Sequence, residues 1–396
     1  MEIQAAIAGD TEVAGKWGML GALTFCHFVN DYYGMIIPPL LPLIAREFGL
    51  TYFQSGLLVF MANIVSAFLQ PVAGYIADVQ MRRRLIIIIG LLLYSIMSVA
   101  LGLVPNYIFL LVVLFLMGIG GSTYHPQSTF YVALYFRRLR ATASGIHGVS
   151  NPLGFVIAPI SVTLLIALTG SWRTTAILLA IPALIAVLVA WRALDEPQIP
   201  GSRGFFTSFG SRPLILLSLV TGIALAVFMG FTTFLPFYSQ GGSSIIPASW
   251  WLPVSLLPGV VSQPLGGFIA DRIGRRNAVV LGLGTLAGAL LGFVNSSGGT
   301  ALAFSMAAGS CLGLLPPVCL IYAAELAVGQ QVGTAVGILW GFSMGMGALA
   351  PLWVGYLRDL FPDFRMAFMT LVCIAFAGAI MALFLPGRKR WLAGAV

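Results

Sequence analysis

The sequence predicts an all-α polytopic membrane protein, with twelve transmembrane helices arranged as two pseudo-symmetric six-helix halves. Three observations carry this reading. Of 396 residues, 59% are hydrophobic and only 8% charged, too little polar surface to cover a soluble globule of this size. Apolar stretches of about 20 residues, the length that crosses a bilayer, recur along the whole chain with short polar breaks between them. A nine-residue segment in the first quarter returns in register 193 positions later.

The polar breaks delimit spans at 17–42, 51–77, 85–104, 107–135, 143–168, 172–193, 213–238, 247–270, 278–296, 300–324, 332–356 and 364–385. Several exceed the minimum length, so tilted helices or ends projecting into water are expected. Residues 1–16 hold Glu2, Asp10 and Glu12 and lack the basic start of a cleavable signal peptide; they read as a short cytoplasmic lead-in. The N-terminal half is 17–193, a polar linker rich in Gly and Pro occupies 194–212, the C-terminal half is 213–385, and 386–396 form a tail.

The net charge of +8 does not point to nucleic acid, because its placement follows the membrane. With both termini inside, only Arg46, Arg173, Arg358 and Arg365 of the 20 Lys and Arg residues fall outside. That asymmetry obeys the positive-inside rule. Cys26, Cys311, Cys319 and Cys373 lie within spans without metal-ligand spacing and read as small buried apolar residues. No cofactor or metal is expected.

Gln70-Pro71-Val72-Ala73-Gly74-Tyr75-Ile76-Ala77-Asp78, followed by Arg82-Arg83, matches Gln263-Pro264-Leu265-Gly266-Gly267-Phe268-Ile269-Ala270-Asp271, followed by Arg275-Arg276. Near the same offset Leu41-Pro42 pairs with Leu235-Pro236, Gly145-Ile146 with Gly337-Ile338, Pro159 with Pro351, and Arg173 with Arg365. Span one therefore maps onto span seven, two onto eight and so on, giving parallel halves about an axis along the membrane normal.

The two repeat segments, with Arg272 in the second, resemble the paired loop signature of major facilitator transporters. Val79 stands in the first copy where a basic residue is usual. The resemblance implies a conformational lock built from Gly74, Asp78, Arg82, Arg83, Gly267, Asp271, Arg272, Arg275 and Arg276. In it the aspartates pin a neighbouring helix end and pair with arginine on the cytoplasmic side, bracing the outward-facing state. Charge-assisted bonds made in one conformation and broken in another suit that role. Gly145, Gly154 and Pro159 in span five are similar to the glycine and proline signature of antiporter members, with Asn151-Pro152 nearby in place of the usual Gly-Pro pair. Plain close packing of helices reads from the same residues.

His27-Phe28-Val29-Asn30-Asp31-Tyr32-Tyr33-Gly34, the Pro38–Leu43 run, Glu47-Phe48-Gly49-Leu50, Gln70-Pro71 and His125-Pro126 resemble the fosmidomycin-resistance branch. The resemblance runs through most of the N-terminal half. It implies proton-driven export of drugs across a bacterial inner membrane.

A carboxylate inside the bilayer is costly unless paired or protonated. Asp31 lies roughly 22 Å along a helix from Lys16, past the midplane, with His27 one turn below on the same face. Together with His125 in span four they are the candidate proton-coupling groups. The counterparts of His27 and Asp31 in span seven are Val220, Thr221 and Ala224, so this charge belongs to one half and not to the shared scaffold. A structural pair tethering span one to a neighbour is the alternative. His147 and Glu325 sit near helix ends, within reach of water.

Asn30, Tyr33, Gln127, Asn151, Phe231 and Phe234 are candidate substrate contacts, and Asn63, Gln70, Tyr238 and Gln240 can line a path. No Lys or Arg falls at mid-membrane, whereas a phosphonate anion normally takes an arginine partner. The expected function is alternating access with proton-coupled export of a small amphiphilic compound. The alternatives are an uptake symporter or uniporter for a nutrient such as an organic acid, and a lipid-handling or enzymatic membrane protein. The last lacks a nucleophile–base motif, a metal cluster or a nucleotide loop. The partners expected are the substrate, protons and lipid, with one chain sufficing because it contains both halves.

Overall fold

The computed structural model describes residues 13–136, 139–197, 211–239, 246–326 and 332–387. Most of the expected lead-in, linker positions 198–210, Gln240 and the tail from 388 lie outside them. Among the described residues every element longer than a turn is an α-helix. Among the described residues, eleven helical segments, three of them interrupted by a single residue, are long and apolar enough to cross a membrane. The remaining span, the first, is divided into Val13–Gly34 and Ile37–Phe48.

Breaks of this kind recur through the N-terminal half, inside the expected spans. Span four divides between Tyr107–Ser122 and Tyr124–Tyr135, span five between Arg140–Gly148 and Ser150–Thr169, and span six between Trp172–Leu178 and Ala180–Ala193. The single residues at these breaks are Thr123, Val149 and Leu179. Three positions after each stands a proline: Pro126, Pro152 and Pro182. A proline has no N–H for the carbonyl four residues back and its ring crowds that carbonyl, so the helix loosens one turn before it. Pro38 and Pro39 stand in the same relation to the break in span one. Pro71, Pro159, Pro236 and Pro351 are carried within continuous helices.

The core of each half forms where small residues let backbones meet. A Cβ on Gly154 would lie 2.8 Å from the Phe28 carbonyl oxygen and 2.9 Å from the Tyr32 nitrogen, so span five lies directly on span one. Gly309 and Gly313 meet the backbone of Ser255 and Gly259 in the same way, joining spans ten and eight. Cys26, Cys311 and Cys319 are buried as expected, but Cys373 is exposed on the outer face of the last helix.

The halves meet chiefly at the end of the bundle away from the termini. There span two, Tyr52–Gln80, packs along span eleven, Val332–Leu360. Thr163 on span five donates to the Ser249 carbonyl at 3.0 Å. Toward the termini the ties are thinner. The equivalent repeat residues Gln70 and Gln263 each reach the opposite half, to Met344 Sδ at 3.6 Å and to the Gly148 carbonyl at 3.5 Å.

Within the N-terminal half, the end away from the termini is held by Glu47. It accepts from Trp172 Nε1 at 2.6 Å and from Arg173 Nε and Nη2 at 2.9 and 2.6 Å. The hydrogen-bonded Arg173 guanidinium holds the Glu47 carboxyl below its ordinary value of 4.5. A depressed carboxyl contributes stability above the unfolded-state value and loses it as pH falls through the folded one. Glu47→Gln is therefore expected to destabilise the solubilised protein at pH 7 by no more than about 1 kcal/mol, since the pair is partly exposed. Thermal melts should show that difference shrinking steadily below pH 4.5.

Candidate functional site

Polar residues of spans one, four and five form a single cluster, those of spans four and five standing next to the helix breaks at Thr123 and Val149. All three histidines of the chain belong to it, His27 and His125 on Asp31 and His147 on His27. Asp31 is 5% exposed and His27 is 8% exposed. His27 Nε2 lies 3.1 Å from Asp31 Oδ2, and His125 Nε2 lies 3.5 Å from Asp31 Oδ1. Asn151, just before Pro152, donates to Asp31 Oδ2 at 2.6 Å, and Asn30 donates to Oδ1 at 3.1 Å.

The other side of the His27 ring fixes its proton. Nδ1 faces the His147 carbonyl at 3.0 Å and Ser150 Oγ at 2.6 Å. Ser150 itself donates to the His147 carbonyl, so its oxygen is left to accept. Both partners being acceptors, Nδ1 carries the hydrogen. Nε2 then faces a carboxylate oxygen, and two bare lone pairs at 3.1 Å repel. The pair is stable when one further proton lies between them, as imidazolium with carboxylate or imidazole with carboxylic acid. Removing that proton leaves a buried negative charge and a repulsive contact.

His147 is the residue that sequence reasoning underrated. Its ring stacks on His27 with centroids 4.2 Å apart, and its Nε2 meets the Tyr124 hydroxyl at 3.1 Å. That hydroxyl also donates to the Leu23 carbonyl. The position near a helix start suggested contact with water. The turn broken at Val149 instead brings it inward, and Pro152 downstream is the signal that marks this.

Ligand atoms of His27, Asp31 and His125 lie within 4.8 Å of one another, a spacing that a metal site shares. Each already has a partner inside the cluster.

The cluster borders a cavity of about 110 Å³ between the halves, with Asn30, Asp31 and His125 in one wall and Phe228, Thr232 and Met344 in the other. A second cavity of about 90 Å³ continues from it past Asn151, Phe155 and Trp340. Phe155 and Phe228 stack across the halves at 5.4 Å. Among the described residues no Lys or Arg lines either space.

The other expected contacts are distributed differently. Tyr33 lines the first cavity, stacks on Tyr94 at 4.5 Å and donates to the Leu179 carbonyl. Gln127 is wholly buried away from the cavity, where it accepts from Arg83 at 3.0 Å and donates to the Ala73 carbonyl at 3.2 Å. Phe231 and Phe234 pack against Phe293, Phe368 and Phe364 inside the C-terminal half; the aromatic of that run on the cavity wall is Phe228.

At the opposite edge of the bundle, Asp78 pairs with Arg83, whose guanidinium is 2% exposed and lies 3.5 Å over the Phe130 ring. Asp271 pairs with Arg275, which also donates to Glu325 at 3.0 Å. Both pairs stay within their own half. Arg82 is exposed, Arg272 covers the Phe268 ring at 4.0 Å, and Arg276 donates to Asn277 at 3.4 Å. A Cβ on Gly74 would touch Pro126 at 3.3 Å, while Gly267 and Gly145 have open space. Pro159 is buried within span five.

Because Gly154 sets the distance between span one and the Ser150-Asn151 turn, Gly154→Val should separate them. Overpacking there is expected to cost about 1–3 kcal/mol or more, read as a lower melting temperature.

Comparison with known proteins places the chain. The Major Facilitator Superfamily model matches residues 23–246 and 242–394. An uncharacterized transporter of this type from Bacillus subtilis, YfnC, is 29% identical over 92% of each chain. The fosmidomycin resistance protein of Escherichia coli is 25% identical, covering 98% of this chain and 97% of its own. A solved bacterial homologue of the lysosomal transporter Spinster, inward-facing and occupied, superposes with a TM-score of 0.73 at 18% identity, covering 93% of this chain and 94% of its own. Family model, repeat and fold agree, and the chain belongs to the major facilitator superfamily.

Proposed function

We propose that this transporter is a proton-coupled exporter of a small amphiphilic compound, working by alternating access in a bacterial inner membrane with both termini in the cytoplasm. The observation that carries the reading is the His27–Asp31 pair, buried at a cavity edge and stable with one shared proton. Loss of that proton alters the charge of the wall facing the substrate and the contacts between spans one and five. Coupling requires only that the two conformations hold the proton unequally.

His125 and Asn151 adjust the same carboxylate, and Asn30, Tyr33 and Phe228 supply wall contacts. The linker near 194–212 joins the rocking halves, and a single chain is the transporting unit. Apolar and aromatic walls without a fixed cation favour an amphiphile over a fully ionised anion. Uptake of an organic acid by symport would use the same cluster with the opposite proton sign.

The test is proton movement in proteoliposomes loaded with a pH-sensitive dye, for wild type and Asp31→Asn, against a panel of drugs and organic acids. Antiport predicts a substrate-dependent proton signal opposite in direction to substrate, lost in the variant. A signal in the same direction would establish symport, and equal substrate flux in both proteins without a proton signal would make Asp31 structural.

A further inference from the structure

We propose that Asp359, in the last turn of span eleven, is the positioning residue that keeps the end of the bundle away from the termini closed, by capping span two of the opposite half. Its place is unusual on its own helix. A carboxylate at a helix C-terminus faces the negative end of that helix's dipole and loses stability there. It is compensated by another helix's N-terminus: Asp359 Oδ1 accepts from the Tyr52 backbone N–H at 2.9 Å and Oδ2 from that of Phe53 at 2.8 Å.

The first turn of a helix leaves four backbone donors without intrahelical partners. Here the four can be followed one by one. Thr51 N–H donates to Gln54 Oε1 at 2.9 Å and Gln54 N–H to Thr51 Oγ1 at 3.1 Å, the reciprocal capping box. The two between them, Tyr52 and Phe53, go to Asp359. Span two thus caps half of its own N-terminus and takes the other half from across the interface.

The surroundings are built for the same contact. A Cβ on Gly56 would come 2.2 Å from the Pro351 oxygen, and one on Gly355 would come 2.3 Å from the Tyr52 oxygen. The two backbones therefore touch at two levels below the carboxylate. The Arg358 guanidinium lies 4.5 Å over the Tyr52 ring. The feature is absent from the repeat, since position 167, the counterpart of 359 in the register of Pro159 with Pro351 and Arg173 with Arg365, is Ala167; it belongs to this interface and not to the common scaffold. Opening this end requires Asp359 to release both donors, which then pass to water.

Loss of a side-chain cap typically costs about 1 kcal/mol, so Asp359→Ala should raise the open-to-closed ratio at this end about fivefold. The measurement is pulsed electron paramagnetic resonance between spin labels at Thr174→Cys and Ser297→Cys, one on each half at this end. The four native cysteines are replaced, and a control pair sits at Arg192→Cys and Asn277→Cys near the termini. Asp359→Ala and Asp359→Asn should populate longer distances in the first pair and shorter ones in the second, with Asp359→Glu restoring part of the closed population. Gly355→Leu, which wedges the same contact, should lengthen the first distance independently and shows that the labels detect opening. Unchanged distributions in Asp359→Ala, with or without a lower melting temperature, would overturn the proposal. No substrate or proton gradient enters the experiment, so its failure is separate from any failure of proton coupling.

Discussion

Asp31 is a carboxylate 5% exposed inside a bundle of mostly apolar side chains, and the cost of leaving that charge unattended organises the N-terminal half. A lone ion in such surroundings costs several kcal/mol, while a paired and hydrogen-bonded one can be held. Three spans therefore bring polar groups to one point: His27 and Asn30 from the first, His125 from the fourth, and Asn151 from the fifth. His125 and Asn151 lie within two residues of a break in their helices, at Thr123 and Val149, and each of those breaks lies three residues before a proline. The prolines bend the spans where the charge needs partners, so the scaffold's irregularities and the site's chemistry have one cause.

A second asymmetry runs along the bundle axis. Near the termini the halves touch through a glutamine on a thioether and a glutamine on a carbonyl at 3.6 and 3.5 Å. At the other end they touch through a carboxylate on two backbone donors and through glycine-to-backbone contacts. The closed end is the better made, and the two cavities lie between the two sets of ties. The Asp78–Arg83 and Asp271–Arg275 pairs, each confined to its own half, take no part in joining the halves in this conformation.

Much of this was readable from the chain. The spans follow from hydropathy, the pseudo-symmetry from the offset of 193, and the His27–Asp31 contact from helical spacing. The convergence of His147 was not readable, because its position depends on how the turn at Val149 redirects the ring, and only the prolines hinted at that. Asn151 was legible as polar and membrane-embedded, but its partner lies 120 residues away. Phe231 and Phe234 share a helix with Phe228, and sequence cannot say which face of a helix apolar on all sides meets a cavity. Gln127 looked available for substrate because its partner Arg83 lies 44 residues away in sequence, and the burial of that arginine beside it depends on how spans three and four pack.

A proton held between His27 and Asp31 and exchanged as substrate binds can be counted directly. The direct measurement is the number of protons released or taken up when substrate is added to purified protein in a weakly buffered solution containing a pH indicator. Exchange of about one proton per bound substrate in the wild type, and none in Asp31→Asn that still binds, is the predicted result. Binding without any proton exchange in the wild type across the neutral pH range would contradict it.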